Sequence, residues 1–120
     1  MANTFKTVTF AAEPASSGTP YLMYTTANST TTVVLGLILT NIHTAAVTAS
    51  VQLDSNTGNR NGNNNVANGV SELIKNVSIP QGSSLEILTG SKVVLETTDA
   101  IKVDCSVADK LSGTLSIMEI

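Results

Sequence analysis

Residues 73–103 read LIKNVSIPQGSSLEILTGSKVVLETTDAIKV. Short runs rich in Val, Ile and Leu alternate here with turn signals, and that rhythm decides the fold class. Pro80-Gln81-Gly82-Ser83 is a proline-initiated turn closed by glycine. Thr89-Gly90-Ser91 turns the chain a second time, and Thr97-Thr98-Asp99 ends a third run. The stretch holds no histidine, no catalytic nucleophile motif and no cluster of metal ligands. It reads as scaffold.

The same grammar extends in both directions. Upstream, Val70–Ile79 is a strand, preceded by the Asn-dominated segment 54–69, DSNTGNRNGNNNVANG, which has almost nothing apolar to bury and is expected as a long loop. Ala45–Leu53 alternates: Val47, Ala49, Val51 and Leu53 share one face, and Thr48, Ser50 and Gln52 the other. Thr31–Ile42, TTVVLGLILTNI, is the strongest strand. Its unbroken apolar run predicts burial on both faces, or one face in the core and one against a neighbour. Gly36 in its middle marks a bulge or a close backbone approach. Tyr21–Tyr24 is a short strand. Downstream, Ile101, Val103, Cys105 and Val107 alternate with polar residues, Ala108–Gly113 is expected as a turn, and Leu115 and Ile117 belong to a last strand. No helical period is present. The expectation is all-β: a single antiparallel β-sandwich or jelly roll of about eight short strands, over residues 21–120. Residues 1–20 contain Thr4–Phe10 as a further strand and then Pro14, Gly18 and Pro20. They are expected as an arm or an edge strand.

Composition narrows function. The chain has 120 residues, enough for one domain that buries roughly two thirds of its unfolded surface. The apolar fraction is 42% with no Trp, two Phe and two Tyr, so the core must be aliphatic. Charged residues make up 12%, about half of what soluble domains carry. Few charges keep copies apart, which suits a protein that lives in an assembly. A net charge of −3 with six scattered basic residues speaks against nucleic acid. The apolar run Val33–Leu39 is far shorter than the ~20 residues of a membrane span. The start, MANTFKTVTF, lacks the basic and apolar regions of a signal peptide, so synthesis in a host cytoplasm without export is expected. Cys105 is alone and reads as a small buried hydrophobe.

The chemical inventory is thin. His43 is the one histidine, and no G-x-S-x-G or similar mark supports a serine triad. Glu86, Glu96, Asp99 and Asp104 could pair as in a glycosidase, but the aromatics that line a sugar cleft are scarce. Asp54 and the Asn-rich loop offer amides rather than the carboxylates of a calcium site. Gly58, Gly62 and Gly69 lack the lysine and helix of a phosphate loop. Hence no catalytic residue, cofactor or metal is expected.

Thr31–Asn41 (TTVVLGLILTN), Leu73–Leu85 (LIKNVSIPQGSSL), Lys92–Val103 (KVVLETTDAIKV) and Leu115–Ile120 (LSIMEI) resemble a family of small β-sandwich virion proteins of tailed bacteriophages, notably marine and cyanobacterial ones. The resemblance covers roughly residues 21–120 and implies a non-enzymatic structural protein of the virion. A capsid decoration or cement protein on the major capsid protein is the first expectation. A neck, tail or fibre component is the alternative, and a carbohydrate- or host-surface-binding module the second. A homo-oligomer, trimer or dimer, is expected. Partner contacts are expected at Phe5, Phe10, Tyr21 and Tyr24, and in the loop at Asn59, Arg60, Asn61, Asn63, Asn64 and Asn65.

Overall fold

A computed structural model describes residues 3–55, 69–88 and 92–120. Nine strands follow in order: β1 (Thr4–Glu13), β2 (Tyr21–Thr25), β3 (Thr32–Asn41), β4 (Val47–Ser55), β5 (Gly69–Ile79), β6 (Ser84–Ile87), β7 (Val93–Leu95), β8 (Ala100–Cys105) and β9 (Leu111–Glu119). One sheet, sheet A, runs β1-β9-β3-β6, with β7 also on β3; sheet B runs β2-β8-β4-β5. Every pairing is antiparallel.

The pairings nest. β1 takes β9, β2 takes β8, β3 takes β6 and β7, and β4 takes β5. This is a jelly roll: one long folded hairpin, rolled so that successive pairs fall in opposite sheets. β6 covers Leu37–Thr40 of β3 and β7 covers Thr32–Val34, so the two short strands lie end to end and fill one strand position. Nine segments thus occupy the eight positions of the roll.

Between the sheets lies an aliphatic core. Leu111, Leu115 and Ile117 of β9 are fully buried, opposite Val34, Leu37 and Leu39 of β3 and the inward side chains of β4 and β8. Each such side chain contributes roughly 1.5–3 kcal/mol. Cys105 is among them. In β3 the register against β9 shifts between Val34 and Gly36, at the mid-strand glycine. The extra residue lets Val34 and Leu37, three apart, both point inward.

Gly113 has the opposite logic to a turn glycine. β9 begins at Leu111, so Gly113 sits within a strand, opposite Phe10 of β1 and Leu39 of β3. A Cβ there would lie 2.4 Å from Phe10 Cε2. The bare backbone makes room for the ring, which explains why the expected turn over 108–113 is shorter than its composition suggests. At the β3–β4 corner, buried Asn41 donates through Nδ2 to the carbonyls of Ala45 and Ile79, both at 2.9 Å. Its Oδ1 accepts from the His43 N–H at 2.7 Å.

The N-terminal segment is stitched to the domain. β1 pairs with β9 continuously from Thr4↔Glu119 to Phe10↔Gly113. Beyond it, Asp109 N donates to the Pro14 carbonyl at 2.8 Å and Gly18 N to Asp104 Oδ1 at 3.1 Å. Left-handed backbone occurs at Leu88, with φ 68°, and at Thr98, with φ 70°, where a side chain is costly.

Two outcomes follow from this packing. Gly113→Ala should lower unfolding free energy by about 1–3 kcal/mol, measured by urea denaturation, because Phe10 is too enclosed to swing aside freely. Deleting residues 1–13 should abolish the cooperative melt, since it exposes the β9 edge and empties the Phe10 site; a truncated chain that melts like the parent would make the segment a dispensable arm.

Candidate interaction surface

The two outer faces of the sandwich differ in chemistry. On sheet B the polar side chains satisfy one another. Lys102 Nζ meets Asp54 Oδ2 at 3.0 Å, and Gln52 Nε2 donates to Glu72 Oε2 at 2.9 Å. Ser50 Oγ lies 3.3 Å from Asn76 Oδ1 and accepts from the Asn76 N–H at 2.9 Å. Its exposed large apolar side chains, Leu22 and Val70, stand apart on the two edge strands β2 and β5.

Sheet A presents aliphatic side chains outward instead. Its register sets Phe5 beside Met118, Met118 beside Val33, and Val33 beside Val94. These four form a row across β1, β9, β3 and β7, about 14 Å long at the usual strand spacing. Phe5 is 70% exposed and Val94 51%. Leu35, on the β3 bulge, and Ile38 add exposed apolar surface, and both border a shallow depression with Glu86, Thr114 and Ser116. The rest of the face is mostly Thr and Ser: Thr7 and Thr9 on β1, Ser112, Thr114 and Ser116 on β9, Thr40 on β3. Contiguous exposed apolar surface of this kind marks interaction sites in soluble domains.

At one end of sheet A a polar clasp ties both sheets. Lys6 Nζ bonds Glu119 Oε1 at 2.7 Å, and the Tyr24 hydroxyl donates to Glu119 Oε2 at 2.6 Å. That hydroxyl also meets Thr32 Oγ1 at 2.7 Å. The hydrogen bond from Lys6, then that from Tyr24, hold the Glu119 carboxyl below its ordinary range, with a smaller opposing effect of burial. Burial, then the bond to Glu119, pushes the Tyr24 phenol above its ordinary value.

These positions revise the expected contact residues. Phe5 is on the outer face of sheet A. Phe10, five residues on, points the other way: it is a core residue, edge-on to Tyr21 with ring centroids 5.1 Å apart, and has no surface to offer a partner. Tyr21 and Tyr24 are half-buried against the core, and Tyr24 is spent on the clasp. Asn59, Arg60, Asn61, Asn63, Asn64 and Asn65 lie outside the described residues. The outward apolar side chains of sheet A that the sequence reading did not single out are Val33, Leu35, Ile38, Val94 and Met118. For Val33, Leu35 and Ile38 the signal was present in the unbroken run 33–39, where both strand parities are apolar.

The other candidates are dispersed. Glu86 belongs to sheet A and Asp104 to sheet B; Asp99 is buried and takes the Glu96 N–H on Oδ2 at 3.0 Å. His43 sits in the β3–β4 connection. Among the described residues no three His, Cys, Asp or Glu side chains could hold a metal ion together, and no helix is long and apolar enough to cross a membrane.

No protein-family model and no curated protein matches the chain. Among solved structures it is similar to a chain from Bacillus endospore appendages, described as a family of disulfide-linked pili, at 13% identity over 98% of this chain and 85% of that one, with a TM-score of 0.46.

The clasp predicts a pH dependence. A carboxyl whose folded pKa is depressed adds stability above its unfolded pKa and loses it as pH falls through the folded value. The melting temperature should therefore drop as pH falls below about 4.3, and Glu119→Gln should flatten that acid limb. Parallel acid limbs in parent and variant would remove Glu119 from this account.

Proposed function

We propose that this chain is a non-enzymatic structural protein of a tailed-phage particle, and that it decorates the head by laying the outer face of sheet A on the major capsid protein. The observation that carries this reading is the contrast between the faces: sheet A carries Phe5, Leu35, Ile38 and Val94 across adjoining strands on a ground with few charges, whereas on sheet B the exposed Leu22 and Val70 lie on opposite edge strands with paired polar side chains between them. The resemblance of residues 21–120 to small virion sandwiches supplies the setting.

Energetics suit a decorating subunit. Full burial of one such side chain contributes roughly 1.5–3 kcal/mol, and these four are already partly covered. Their joint gain is a few kcal/mol, against an association cost of about 4–15 kcal/mol. One copy on one site binds weakly. Oligomers that engage several sites of a symmetric shell at once gain the remainder through effective concentration. A place in the neck, tail or fibres would use the same face and differ in copy number.

Ile38→Lys combined with Val94→Lys should cut occupancy on purified particles by about tenfold or more, as charge is desolvated at the contact, while the melting temperature stays near that of the parent. Normal occupancy of the double variant would sink the assignment of this face. Copy number on the particle separates head, with hundreds of sites, from neck or tail, with on the order of ten, as the symmetry of each requires.

A further inference from the structure

Four edges bound the two sheets: β1 and the β6–β7 line in sheet A, β2 and β5 in sheet B. An edge strand shows a row of unpaired N–H and C=O groups, and proteins that must stay apart blunt it by shortness, bulges, proline or charge. β2 has five residues, follows Pro20 and is bulged between Leu22 and Tyr24. β5 shifts register against β4 on both sides of Val51, bends at Asn76 with φ 51°, and carries Glu72 and Lys75. β6 and β7 are four and three residues long.

Over Thr4–Phe10, β1 has one of these defences only, the charge of Lys6. The stretch is regular, free of proline and free of bulges. The Lys6 charge is paired within the chain, by Glu119 at 2.7 Å, which lowers its effect on a neighbouring strand. Among the described residues no strand pairs along its outer edge.

We propose that β1 pairs antiparallel with β1 of a second copy, about a two-fold axis at Thr7. Such an axis stands perpendicular to the sheet, so residues of one parity stay on one face in both copies. Thr7 then meets Thr7, Phe5 meets Thr9, and Lys6 meets Val8. Thr–Thr and aromatic–β-branched pairs are favourable across strands. An axis at Lys6 would set two ammonium groups against each other, and one at Val8 would run the pairing past the register shift that follows Phe10. Two five-stranded sheets become one, with both outer faces on the same side. The pairing is independent of whether that face docks on a capsid.

The test uses the whole chain. Thr7→Cys should oxidise to a covalent dimer about tenfold faster or more than Thr114→Cys, because pairing raises the effective concentration of one thiol and not the other. Cys105 is buried and stays out of the reaction. In the unsubstituted chain, hydrogen exchange should slow at the outward-facing amides of β1 as concentration rises, in step with dimer formation in sedimentation. Faster crosslinking through Thr114→Cys would mean stacked faces and overturn the proposal. So would a monomer whose outward β1 amides exchange freely at every concentration. Should Thr7→Cys fail to fold, the exchange measurement decides alone.

Discussion

Nested pairing is the constraint on which this molecule rests. The first strand must find the last, and the last must fit between the first and the third. β9 therefore supplies three fully buried aliphatic side chains and the hydrogen-bonding partner for both neighbours at once. Without it β1 would lose its one described partner strand and β3 one of its two sides. Contacts of such sequence separation are slow to form, because loop closure must be met before pairing rewards it. The Lys6–Glu119–Tyr24 clasp sits at this junction and adds β2 of the other sheet to it. The most distant parts of the chain are thus held by the most specific polar contacts in the structure.

Strands were legible because turn chemistry and β-branched runs agree with each other along most of the chain. The bulge at Gly36 was legible for the same reason, since a glycine inside an apolar strand has few other uses. Gly113 was not. Its role depends on Phe10, more than a hundred residues away in sequence, and local composition reads it as a turn. The aromatic residues divide along similar lines. Phe5 and Phe10 lie an odd number of positions apart, so a regular strand must send them to opposite faces. Tyr21 and Tyr24 lie inward together because a bulge falls between them, and no local rule predicts that bulge. The outer aliphatic row was hidden for a different reason. An apolar run can mean two buried faces or one unpartnered face, and only the position of its strand within the sheet distinguishes them.

The two sheets share the charge of this sparsely charged chain unevenly. Lys102, Asp54, Gln52 and Glu72 are gathered on sheet B, where each has a partner. Little of that kind remains for sheet A. A uniform scatter of the same residues would have made the two faces more alike in how they meet water.

Leu88 and Thr98 bracket β7, and each holds a backbone conformation that side chains disfavour, at a cost of about 1–3 kcal/mol. Between them stands the shortest strand of the roll, three residues against the end of β3. Release of β7 would relieve two strained residues and sacrifice few hydrogen bonds, which sets it at the low end of the sandwich's local stabilities. In that state the end of β3 loses its outer neighbour while β9 still holds the other side. Backbone strain and a short ladder thus meet at one corner of sheet A, beside the aliphatic row.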